Sequence, residues 1–372
     1  MKPSSHPYMN LPASSYWRVA VANAEPGQLE PVVNAPFRIA PADKVATAGS
    51  CFAQHIGRYL EQAGSQLLIC EPPHPVLTSE AAKICSYGVF TARYGNIYTS
   101  RQLLQLFQRA YGRFEPTEYA WRSHEGAWID PFRPTIQPGG FNSEREFALD
   151  RARHFAAVRR AFETLDVLVF TLGLTEAWRD QRDGAIFPIC PGVSGGRFDK
   201  KRHDFVNLGV TEVLEDLRDF MNLLRDINPK CRIILTVSPV PLAATAEPRH
   251  VLEATVYSKS VLRVAAEMAS REVANVAYFP SYEIIASGFG GDYYAQDKRN
   301  VTPEGVEHAM RVFLTHYTGP LREGGLMNRL LARAKATPPA RQPAPASLVV
   351  MEALQAMCDE EALDPEFSAR RA

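Results

Sequence analysis

The sequence predicts an α/β fold, a three-layer sandwich built on a five-stranded parallel sheet with loop insertions. Two observations predict it. Short runs rich in β-branched and aromatic residues, at 44–49, 66–69, 166–172, 232–237 and 276–279, alternate with stretches of helical period. The runs at 166–172 and 232–237 are apolar almost throughout, as parallel strands covered on both faces are.

The elements follow in order. Residues 1–40 are Pro-rich and irregular, with an apolar patch at 16–21 expected to strap the segment onto the core. The strand at 44–49 passes into a helix whose face carries Phe52, Ile56, Tyr59, Leu60 and Ala63, ended by Gly64. Residues 72–150 are less regular. Within them 100–110 is an amphipathic helix with Ser100 as its N-cap, and 113–145, rich in Trp, Pro and Gly, is an insertion. Helices are expected at 151–165, 211–227 and 256–272, with 176–207 loop-like between the first two. Pro303 opens a last helix to about 317, since proline suits a first helical turn. The α/β domain is thus placed at 41–320. A Pro/Ala linker follows at 334–347, then a tail at 348–372 with an acidic amphipathic piece that could be helical.

Composition excludes several classes. Lys+Arg and Asp+Glu both number 41, and no basic stripe stands out, so nucleic acid is not an expected partner. No apolar run approaches the ~20 residues of a membrane-spanning helix. The first residues lack the apolar core of a signal peptide. The six cysteines form no C-x-x-C pair and read as reduced thiols of a cytoplasmic protein; no Cys/His spacing suggests a metal, and no cofactor is expected. Oligomeric state is not legible.

Ligands of open parallel sheets bind at the carboxyl ends of the strands. After the first strand comes Gly49-Ser50-Cys51-Phe52-Ala53. Gly49 permits a sharp turn and places Ser50 where strand becomes helix. Its hydroxyl and the first helical N–H groups would point at one spot, a nucleophile beside part of an oxyanion hole. The bland reading of the same residues is a serine N-cap.

That pentapeptide resembles the namesake motif of the GSCFA family, which looks like a branch of the SGNH (GDSL-like) hydrolases. The segments 94–99, 170–178, 235–240, 257–259 and 278–283 resemble the family's in order. The resemblance implies a flavodoxin-like sheet and an ester-processing serine at Ser50. It implies oxyanion donors from the Cys51 N–H, from Gly95 or Asn96, and from Gly173 or Thr175. Where SGNH enzymes offer an Asn, this chain has Thr175-Glu176. Their closing Asp-x-x-His is matched by Asp297-Lys298-Arg299-Asn300, in which Asn300 cannot take a proton from Ser50.

A base must then come from elsewhere, or the site binds without turnover. Among nine histidines, His250 follows the strand at 232–237 on the correct side of the sheet, His308 lies on the last helix, and His55 lies more than a turn past Ser50. Cys51 reads as a buried structural thiol. Glu176 and Glu283 follow strands at sheet ends, where either could orient a base or bind substrate hydroxyls, Glu176 and Asn300 being counted with the substrate-binding residues; the bland reading of each glutamate is an ion pair, with Lys259 a partner for Glu283. The expected reaction is attack of Ser50 on an ester or acetyl donor, with His250 or His308 as base and Asp297 assisting. The expected partner is a small-molecule or carbohydrate substrate, an acetyl ester or its acceptor sugar. Trp121, Trp128 and Trp178 in the insertions suit a sugar surface.

Overall fold

A computed structural model describes residues 6–318 and 359–363. In chain order its elements are β1 (Lys44–Gly49), α1 (Phe52–Gln62), β2 (Gln66–Leu67), α2 (Ser79–Ile84), α3 (Ser100–Ala110), β3 (Trp121–Arg122), β4 (Trp128–Ile129), α4 (Glu144–Thr164) and β5 (Val167–Leu172). There follow β6 (Glu176–Asp180), β7 (Ile186–Phe187), β8 (His203–Asn207), α5 (Val210–Ile227), β9 (Arg232–Val237), α6 (Val251–Glu272), β10 (Val276–Phe279), α7 (Ser281–Ala286) and α8 (Pro303–Tyr317). The linker expected at 334–347 and most of the tail lie outside the described residues.

The central sheet runs β2-β1-β5-β9-β10, every pair parallel. The chain leaves β1 toward β2, then returns past β1 to build the other side. The order therefore reverses between β1 and β5, and adjacent crossovers leave a crevice at the carboxyl ends of these two strands. Alternate strand residues serve opposite layers. Leu168, Phe170, Ile233 and Leu235 pack toward α3, α4, α5 and α6. Val167, Val169 and Ile234 pack toward α1, α7 and α8. Both layers are apolar, hence the near-continuous strands; burying each large side chain contributes about 1.5–3 kcal/mol.

Several boundaries differ from the sequence expectation for identifiable reasons. The 176–207 stretch is a three-stranded antiparallel sheet, β7-β6-β8, whose strands are too short and polar to show alternation. α4 begins at Glu144, where Ser143 Oγ accepts from the Glu146 N–H, and α6 begins at Val251. α3 is capped by Thr99 in a capping box with Gln102, while Ser100 donates instead to Asp216. The 16–21 patch stays largely outside, with Trp17 63 % exposed against Phe289. Leu29, Val32 and Ile39 do the strapping. The tryptophans are packing elements: Trp121 is buried and donates to Glu118, Trp128 stacks on Phe147, and Trp178 meets Phe198 and Phe205.

A buried ionic network ties the 113–145 insertion to the domain. Arg93 and Arg133 share Asp150 at 2.7 and 2.8 Å, Arg133 also holds Asp130 at 2.9 Å, and His154 holds Glu71 at 2.8 Å. Burial opposes ionisation of Glu71, but its hydrogen bond to His154 and the nearby Arg133 prevail and hold its carboxyl down to about 2. Burial, followed by Arg133, lowers His154 to about 4.

Candidate active site

Gly49 closes β1 with φ +133°, and a Cβ there would stand 2.3 Å from the Thr171 carbonyl oxygen. Only glycine allows β1 this approach to β5. The ladder extends one step further, from the Ser50 N–H to Thr171 O at 3.0 Å. Cys51 is already helical, with φ −51° and ψ −31°. Ser50 therefore occupies the turn itself, at the point where strand order reverses.

Ser50 is 2 % exposed. Its Oγ has no hydrogen-bond partner among the described residues, so it does not serve as the N-cap that the bland reading assigns it. An unmade hydrogen bond of this kind costs about 1–3 kcal/mol. The hydroxyl belongs to a cavity of about 10 Å³, near the size of one water, whose wall includes Cys51, Tyr98, Gly173, Ser238 and Lys259. Gly173 must be small here: a Cβ would lie 3.0 Å from Ser50 Cβ and 3.1 Å from Tyr98.

The expected oxyanion donors divide. Gly173 lies against Ser50. Gly95 takes φ +68° in the turn before Asn96. Asn96 is buried; its Oδ1 accepts from Gln54 at 3.3 Å and its Nδ2 donates to Asp359 at 3.0 Å. The Thr175 hydroxyl faces away and donates to Asn207 at 2.5 Å, while its N–H donates to Ser258. Glu176 accepts from Thr245 at 2.7 Å.

The structure brings none of the expected bases to Ser50. His250 is exposed, and its Nδ1 caps α6 by accepting from the Leu252 N–H at 3.1 Å. His308 lies in the α1–α7–α8 layer, bonded through Nδ1 to Tyr293 at 2.7 Å and through Nε2 to Leu29 O at 2.8 Å. Burial lowers it to about 4. His55 is half-buried beside Arg58, and burial lowers it to about 3, with Arg58 adding to the effect. Asp297 turns back on its own loop, accepting from the Arg299 and Asn300 N–H groups at 3.0 Å and from Asn300 Nδ2 at 2.5 Å. It thus orients the Asn300 side-chain amide. Glu283 pairs with Arg263 at 2.6 Å, not with Lys259.

Three features were not anticipated. Lys259 is 1 % exposed and lines the Ser50 cavity. Cys51 is disulfide-bonded, so the expectation of six reduced thiols fails there, although Cys70, Cys85, Cys190 and Cys231 are free. The short helix Asp359–Leu363 docks beside the site: the Asp359 carboxylate accepts from Asn96 at 3.0 Å, Tyr98 at 3.4 Å and Thr135 at 2.5 Å. Its acid is pushed up by burial. Lys259 did carry a signal, a charge on the stripe Ala254, Ser258, Val261, Leu262 that α6 buries. Asp359 carried none.

Among the described residues, Glu118, Asp180 and His203 are close enough to share a cation. Glu118 is already taken by Arg182, Arg202, His203 and Trp121, and a cation would face both guanidinium groups. No helix among the described residues is long and apolar enough to cross a membrane.

The fold is thus a doubly wound parallel α/β sandwich with a serine at its switch point. The profile of the GSCFA family matches residues 44–313, and the chain belongs to that family. No curated protein matches it significantly. Among solved structures it is similar to an acetyl esterase mutant with acetate ion, at 13 % identity and TM-score 0.23, over 47 % of this chain and 62 % of that one. It is also similar to a carbohydrate esterase family 3 protein from Talaromyces cellulolyticus, at 11 % identity and TM-score 0.31, over 79 % of this chain and 98 % of that one. The first match spans less than two thirds of the other chain's length, and at these scores neither fixes an activity.

Proposed function

We propose that this protein is a serine esterase or O-acyltransferase of the SGNH kind, with Ser50 as nucleophile and an acetyl ester of a carbohydrate as substrate. The carrying observation is the Ser50 hydroxyl, buried at the switch point and left without a partner among the described residues. A structural serine at a helix start would cap; this one is kept for something else. The N–H groups at the start of α1, Cys51 among them, supply the oxyanion site, with Gly173 on the adjoining wall. Family membership and the order of its motifs support the reaction class. A cytoplasmic setting and a role in building, not digesting, a polysaccharide belong to the same reading.

A second reading has an observation of its own. Asn300 stands where SGNH enzymes have their base, bonded to Asp297, which suits a protein that binds a glycan or partner without turning it over.

A fluorophosphonate probe separates the two. The full chain should be labelled at Ser50, located by peptide mass, and Ser50→Ala should not react. Wild-type protein inert both to the probe and to p-nitrophenyl acetate, with and without reductant, would favour the binding reading.

A further inference from the structure

We propose that Lys259 is the general base and acid of the Ser50 reaction, the role that no histidine is placed to fill; this inference rests on Ser50 being the nucleophile. Among the described residues of the cavity wall there is no histidine and no carboxylate, and Lys259 is the one amine. The side chain is 1 % exposed, and its Nζ donates to the Gly173 carbonyl oxygen at 2.5 Å. Gly173 is also the residue that packs on Ser50 Cβ. One peptide unit therefore fixes the amine on one side and touches the serine on the other. α6 is held at this point by its own Ser258, whose Oγ accepts from the Thr175 N–H at 3.0 Å.

Nζ and Oγ are not within hydrogen-bond distance of one another in the closed cavity. They share its wall, and a space near the size of one water lets the proton cross through a single bridging molecule or directly once substrate enters. Burial favours an uncharged amine in general, and lysine serves as a base where water is excluded.

Among the described residues, three elements bring groups to the wall that Lys259 shares with Ser50. Tyr98, ahead of α3, contributes a phenol bonded to Asp359. Cys51, at the start of α1, is disulfide-bonded. The segment after β9 contributes Ser238, Val240, Pro241 and Leu242, none of which titrates in the ordinary range.

The step balances without a cofactor. Ser50 Oγ forms a bond to the acyl carbon, its proton passes to Lys259 Nζ, and the carbonyl electron pair moves to oxygen. As the intermediate collapses, the bond to the leaving oxygen breaks and the ammonium returns the proton to that oxygen. Water or an acceptor hydroxyl then gives its proton to Nζ while attacking the acyl-serine, and Ser50 leaves with that proton.

The test uses the full chain, fluorophosphonate labelling and p-nitrophenyl acetate, with and without reductant. Arginine keeps a donor for Gly173 O but cannot release its proton. If Lys259 were only structural, Lys259→Arg would keep the rate that Lys259→Met loses. As a base, both variants lose about 100-fold or more, with melting temperatures showing that they are folded. Thialysine at position 259, a more acidic amine of nearly the same shape, moves the pH–rate profile to lower pH, and this decides the matter should both variants unfold. Lys259→Arg at wild-type rate, or a thialysine profile that does not move, overturns the inference while labelling at Ser50 upholds the nucleophile. An inert wild type overturns both.

Discussion

Two groups of polar side chains are buried in this protein, and they are treated in opposite ways. Beneath the insertion, Arg93, Arg133, Asp130, Asp150, Glu71 and His154 are joined by ion pairs, three of them between 2.7 and 2.9 Å, and by a 2.8 Å hydrogen bond between His154 Nδ1 and Glu71. At the switch point, Ser50 is as deeply buried, yet its hydroxyl has no partner among the described residues. A network held by charged partners fixes geometry, and breaking it strands a charge in a poor solvent. An unsatisfied hydroxyl destabilises slightly and fixes nothing, which is the arrangement expected where a ligand supplies the missing partner. Glu71 Oε1 and His154 Nε2 also lack a hydrogen bond among the described residues, so the contrast lies in the charged partners that hold the network and that Ser50 lacks.

The contrast can be broken most directly by deleting one polar group from each. Arg133→Met should cost about 3–5 kcal/mol, because Asp130 and Asp150 each lose one of their charge partners in a buried site. Ser50→Ala should not lower stability and could raise it by up to about 3 kcal/mol, because it removes a buried hydroxyl with no partner among the described residues. Denaturant titration of both variants measures the difference, and equal losses would erase the distinction.

Acid should sharpen it. His154 is held to about 4 and Glu71 to about 2, both below their unfolded values. A depressed pKa means that protonation favours the unfolded chain. The stability that His154 contributes is complete above about pH 6.5 and fades as pH falls through 4. That from Glu71 is complete above about pH 4.5 and fades toward 2. Melting temperature should therefore fall as pH is lowered from 7 to 4, and less steeply in His154→Gln. An identical slope in that variant would remove the network from the acid response.

The smallest effect belongs to Asp297. Its carboxylate bonds its own loop and Asn300, so Asp297→Ala should lower stability by about 0.5–1.5 kcal/mol and change p-nitrophenyl acetate turnover less than twofold. A large loss of turnover with stability intact would return Asp297 to the catalytic machinery.

The strands were legible because residues buried on both faces leave an unbroken apolar run, as in Val167–Leu172. The strand-to-helix turn at Gly49-Ser50 was legible because its geometry is local. β6 and β8 escaped notice because their faces are only partly covered, so neither alternation nor an apolar run marks them, and β7 because it is only two residues long. His250 was read as facing the site from its position in the loop after β9, but position along a chain does not give direction, and its ring turned to cap α6.

By itself, then, the sequence determined the layered α/β architecture, the family and the residue at the switch point, since each depends on a local run of residues or on their order. Tertiary structure alone decided what surrounds that residue. Residues 50, 98, 173 and 259 meet because strand order reverses between β1 and β5 and α6 turns its buried stripe inward. Such meetings depend on how whole elements pack, and packing is settled by the sum of many weak contacts that no short stretch of sequence contains.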